Sequence, residues 1–129
     1  MNKELVNLHQ LAKNILYFPG HANITVLNLG KTSLMVDCGR NIPETTMIRK
    51  QAESIFGNKI KYVAITHFHS DHTHSMPLVE DCHIIASKKS LEFLKAAKRT
   101  PAKNFSLVLP NTIFETEFIL KEGGFEIII

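Results

Sequence analysis

Histidine is distributed unevenly along this chain of 129 residues: five of the seven fall between His67 and His83, most of them in the run Thr66-His67-Phe68-His69-Ser70-Asp71-His72-Thr73-His74. Neutral imidazole is the commonest protein ligand for zinc and also suits iron and nickel, and a nearby carboxylate adds a hard anionic donor that can hold a water molecule. The run follows Tyr62-Val63-Ala64-Ile65, an apolar segment with strand character. In extended backbone alternate side chains leave on one side, so His67 and His69 can share one ion. Asp71 and His72 come just past the turn and can serve a second ion a few ångströms away. Any one of these histidines alone reads as an ordinary surface residue or a hydrogen-bonded core residue. His67, His69, Asp71 and His72 together read as ligands of a metal centre, with Asp71 also able to orient a water molecule and take its proton. His74 is read as facing solvent rather than bonding the site, and His83 as a structural residue at the start of a strand.

Such a centre needs a rigid frame. Glu4 to Ala12 is read as a strand from the alternation of Val6, Leu8 and Gln10, although Leu5, Leu8 and Ala12 also fit a helix. Asn14 to Phe18, closed by Pro19-Gly20, and the runs Ile24 to Leu29 and Ser33 to Val36 form a meander of antiparallel strands. Pro43 opens a helix in which Ile48, Ala52, Ile55 and Phe56 make one apolar stripe, and Gly57 stops it. Lys59 to Ile65 is a central strand that delivers His67 to the C-terminal edge of the sheet. Ser75 to Glu80 is a turn or short helix, His83 to Ala86 a strand, and Ser87 the N-cap of a helix through Ala97. Asn104 to Leu109 and Asn111 to Leu120 read as strands broken by Pro110, and Lys121 to Gly124 as a hairpin turn into Phe125 to Ile129.

Strand, then His-x-His-x-Asp-His, then a small-residue turn, with Thr66 ahead of the first histidine, resembles the signature of the metallo-β-lactamase superfamily. The resemblance implies an α+β fold: half of a four-layer αββα sandwich, with a mainly antiparallel or mixed sheet and flanking helices. It implies one or two divalent metal ions, zinc first with iron or manganese as alternatives, and hydrolysis of an ester, thioester, amide or phosphodiester through metal-bound hydroxide. Asp37, which ends a buried strand ahead of Cys38-Gly39, resembles the superfamily's first motif, whose Asp supports the site from behind the ligands; on local sequence it reads equally as the cap of the next turn. Family members commonly carry two glycines after the last histidine of the run and its spacer, where this chain has His74 and Ser75. In the family a third histidine, a metal-bridging Asp and a last histidine lie downstream of such a hairpin. Residues 1–129 therefore read as a single truncated domain, which a complementing chain or a second copy in a homodimer would complete. An apolar edge at Ile127 to Ile129 calls for the same cover.

Composition narrows the remaining classes. With 44% hydrophobic residues the chain has material for a modest core, and 15 basic against 12 acidic side chains is too mild an excess to declare a nucleic-acid partner. A small-molecule substrate is the expected partner. The helix from Ser87 carries Lys88, Lys89, Lys95, Lys98 and Arg99 against Glu92, and is read as a solvated lysine face rather than a phosphate-backbone footprint. No stretch is long enough to span a bilayer and no apolar leader follows Met1, so a cytoplasmic protein is expected. Cys38 and Cys82 lack a CxxC pattern and are read as buried thiols. The competing function is a non-catalytic metal-binding or interaction module that keeps the half-domain without the downstream ligands.

Overall fold

The computed structural model describes residues 7–97 and 105–129. Its framework is a seven-stranded mixed sheet whose strands lie side by side in chain order. The first four are β1 (His9–Ala12), β2 (Ile15–Phe18), β3 (Ile24–Asn28) and β4 (Thr32–Val36), and they pair antiparallel as a meander. Thereafter the chain crosses over by helices or turns. The strands β5 (Lys59–Ala64), β6 (His83–Ser87) and β7 (Thr112–Phe114) therefore pair parallel, each with its predecessor.

Helix α1 (Ile42–Phe56) begins where the side chain of Asn41 accepts from the Glu44 N–H, with Pro43 in its first turn, and stops at Gly57 in the left-handed conformation. Its buried line runs through Thr45, Ile48 and Ala52, with Phe56 half-buried. Ile55, expected in that stripe, lies on its flank and is 47% exposed. Arg49 fastens this helix to the sheet: its guanidinium donates to Glu53, to the Leu78 and Ile60 carbonyls and, through two nitrogens, to Asp81.

Alternation along the strands builds two cores. Met35 and Val63 face the helical side with Leu16, Phe18, Val26, Ile48, Ile60, Ile84 and Leu94, where each fully buried large aliphatic contributes about 1.5–3 kcal/mol. Leu34 and Ala64 face the other way, against Leu29 and Leu120. That second face is covered by a separate hairpin, β8 (Ile119–Glu122) and β9 (Phe125–Ile128). Gly123 and Gly124 both take positive φ in its turn, and the Glu122 carboxylate accepts from Thr32 and from Tyr62. Of the apolar run at the end of β9, Ile127 and Ile129 pack inward and Ile128 is exposed.

Two expectations need correction. Phe105 to Leu109 does not take strand conformation; hydrogen bonding to the start of β6 is seen at Asn111, whose side chain accepts from the Ile84 N–H and donates to the Cys82 carbonyl. The stretch from Asn111 to Leu120 is not continuous either; it divides into β7 and β8, which belong to different sheets. The strand expected from Glu4 is seen only from His9, and its first three residues, like Lys98, Arg99 and Asn104, lie outside the described residues.

Candidate metal centre

Parallel pairing of β4 with β5 sets Val36 beside Ala64, so Asp37 and the segment Ile65–Thr66 leave the sheet together at one edge. The Asp37 N–H donates to the Ala64 carbonyl at 2.7 Å, and the Ile65 N–H to the Ile85 carbonyl at 2.9 Å. Asp37 then takes φ 67°, the left-handed region, which in the described residues no other non-glycine occupies. The residue is buried, and its carboxylate accepts the Thr66 N–H at 2.8 Å, the Thr66 hydroxyl at 2.7 Å and His72 Nδ1 at 2.7 Å. A further bond, from the Cys38 N–H to the His72 carbonyl, ties the two loops together.

The donors expected from the sequence gather at this edge. After β5 the chain is irregular through His69 and then makes the single helical turn α2 (Ser70–Thr73). The ring centres of His67 and His69 are 4.8 Å apart, and those of His67 and His72 are 4.0 Å apart. One donor atom from each of His67, His69 and Asp71 lies within 4.8 Å of the other two, close enough to share an ion after small adjustments. Asp71 Oδ2 is also 3.5 Å from His72 Nε2, so its carboxylate lies within reach of both histidine groups. A carboxylate only accepts hydrogen bonds, so the bond to Asp37 places the His72 proton on Nδ1 and leaves a lone pair on Nε2, the atom that faces Asp71. Imidazole nitrogens and one carboxylate at this spacing fit a divalent cation such as zinc, iron or manganese.

The family model described as the metallo-beta-lactamase superfamily matches residues 17–126. The chain belongs to that superfamily. Among solved structures it resembles the metallo-beta-lactamase from Pontibacter korlensis, with a TM-score of 0.76 and 14% identity over 94% of this chain and 58% of that one. It also resembles VMB-1, with a TM-score of 0.71 and 21% identity over 91% of this chain and 55% of that one. The chain thus spans somewhat more than half the length of these structures, and the likeness establishes the fold. No curated protein matches it significantly.

Within this superfamily frame, the neighbours of the donor cluster are also defined. The Thr73 hydroxyl donates to the His69 carbonyl, which braces the helical turn. Phe68, between the two histidines, packs on the main core and stacks on Phe93 of α3 (Lys88–Ala96), the helix capped by Ser87. His74 is half-buried and closes α2 through its own N–H. His83 stacks on Tyr62 at the opposite end of the parallel strands. Ser75, at a position where the resemblance implied glycine, is fully buried, and its hydroxyl has no hydrogen-bond partner among the described residues. Burial, together with the adjacent Asp37 carboxylate, pushes the Cys38 thiol well above its ordinary range, so it stays protonated. Thr66 is the one member of the network to which sequence reasoning gave no role. Its signal was a hydroxyl directly before the first ligand candidate.

Proposed function

We propose that this chain carries the metal-binding core of a hydrolase acting on an ester, thioester, amide or phosphodiester of a small-molecule substrate, with zinc as the resident ion. Superfamily membership supports metal-dependent hydrolysis as the reaction class. The observation that carries the proposal for this chain is the convergence of His67, His69, Asp71 and His72 at one sheet edge, with His72 oriented by Asp37.

In this reading His67, His69, Asp71 and His72 hold one or two ions, and Asp37 presents the His72 lone pair by holding its proton on the far nitrogen. When bound, such an ion polarises a carbonyl or phosphoryl oxygen and lowers the pKa of water to about 7. Asp71, half-buried, orients the attacking water and accepts its proton. A catalytic zinc takes three protein ligands, so a pair of ions would need more donors than these four. A second copy of the chain or a complementing chain would supply them, and would also cover Ile119, Phe125 and Ile128, which are exposed on the hairpin. A monomer by light scattering at assay concentration rules out the homodimer. Among the described residues no helix is long and apolar enough to cross a membrane. A cytoplasmic setting, where thiols stay reduced, agrees with the two unpaired cysteines.

Elemental analysis with turnover on a panel of chromogenic esters and phosphodiesters tests the proposal. One or two tightly held ions, with metal and turnover both lost on replacing His67 and His69 by Ala, support it. Turnover retained in that variant would place the chemistry elsewhere. A bound, readily chelated ion without turnover would support the non-catalytic module instead.

A further inference from the structure

We propose that Thr66 is a positioning residue that extends the influence of Asp37 to His67. Its hydroxyl oxygen lies 2.7 Å from Asp37 Oδ2 and 3.0 Å from His67 Nδ1. A hydroxyl has one proton to donate and lone pairs with which to accept. Two oxygens without a proton between them repel at 2.7 Å, and the carboxylate has none to give, so the Thr66 proton points at Asp37. The free lone pair of the hydroxyl then accepts from His67, which places that ring's proton on Nδ1 and leaves Nε2 bare. The hydroxyl is held in this role from two sides: the Thr66 N–H is bound to Asp37 Oδ1 at 2.8 Å, and β-branching restricts χ1. One buried carboxylate therefore sets the tautomers of two imidazoles, His72 by direct contact and His67 through the threonine.

This deepens the metal-centre reading and rests on it where affinity is concerned, whereas the proton positions can be read without any metal. The test uses the metal-free chain with ¹⁵N-labelled histidine, at a pH where imidazole is neutral, and NMR correlations that report which ring nitrogen carries the proton. The expected wild-type result is Nδ1–H at both His67 and His72. Thr66→Val keeps the shape and removes the hydroxyl. His67 should then shift toward the other tautomer while His72 does not move, and zinc affinity should fall about tenfold or more. Thr66→Ser should restore both. A wild-type His67 protonated on Nε2, or a Thr66→Val variant with His67 unmoved, overturns the proposal. So does disturbance of His67 and His72 alike, which would mark a purely structural role. If the wild-type chain binds no zinc, the metal-centre reading fails, and the ring-proton result still judges Thr66 separately.

Discussion

Replacing Asp37 by Asn is the sharpest single perturbation of the site. Asn tolerates the left-handed backbone that Asp37 adopts at φ 67°, so the variant changes chemistry with little added strain, whereas Ala would add both. The carboxylate accepts three bonds at 2.7–2.8 Å, two of them on Oδ2. A carboxamide can keep its oxygen toward the Thr66 N–H, and its NH₂ must then face the Thr66 hydroxyl and His72 Nδ1. His72 can satisfy that donor only by accepting at Nδ1, which moves its own proton to Nε2 and removes the lone pair from the atom facing Asp71. The opposite flip sets the NH₂ against the Thr66 N–H, donor against donor. The first orientation costs the site a preformed ligand and the second leaves two donors facing each other behind it, and changes of this kind in a group that orients a ligand weaken metal affinity about ten- to a hundredfold. That is about 1.4–2.8 kcal/mol of binding free energy. Zinc titration in competition with a chromophoric chelator measures it directly, with circular dichroism to confirm that the variant is folded. Wild-type affinity in the variant, with the His72 proton still on Nδ1, would refute the reasoning.

The Asp81 carboxyl, beside the Arg49 guanidinium, is held down to about 2. A carboxyl depressed on folding stabilises above its unfolded value of about 4 and loses that contribution as pH falls towards its folded one. Asp81→Asn should therefore be slightly less stable than wild type at pH 6, by under about 1 kcal/mol because the side chain is half exposed, with most of that difference gone by about pH 2, as read by urea denaturation. Burial pushes the Cys82 thiol up to about 12 and the Cys38 thiol well up, so iodoacetamide at pH 8 should label neither in the native chain and both in guanidinium, as read by mass spectrometry. Gly123 combines φ 58° with a backbone so close that an added Cβ would collide with the Leu29 carbonyl oxygen. Gly123→Ala should cost about 2 kcal/mol or more in denaturant unfolding and loosen the hairpin from the sheet.

Local signals made much of this protein legible. Asn41, Pro43 and Gly57 bound α1 because caps and breakers act within one turn, and the meander follows from alternating apolar runs closed by turn residues. The donor run was legible for the same reason, since His67, His69, Asp71 and His72 are neighbours in the chain. Segments whose partners are remote were less so. Phe105 to Leu109 has strand composition but does not take strand conformation, and the apolar stretch after Pro110 could not announce that it divides between two sheets.

By itself, then, the order of residues determined most of the elements, the candidate donors and the edge at which they emerge. The tertiary structure alone decided that Asp37 meets Thr66 and His72. Parallel pairing of β4 with β5 sets Val36 beside Ala64, and only that register brings a carboxylate 35 residues away within hydrogen-bonding distance of the imidazole it orients. The physical reason is range. Caps and periodicity act over a few residues, whereas strand register depends on how α1 packs its buried face across the sheet.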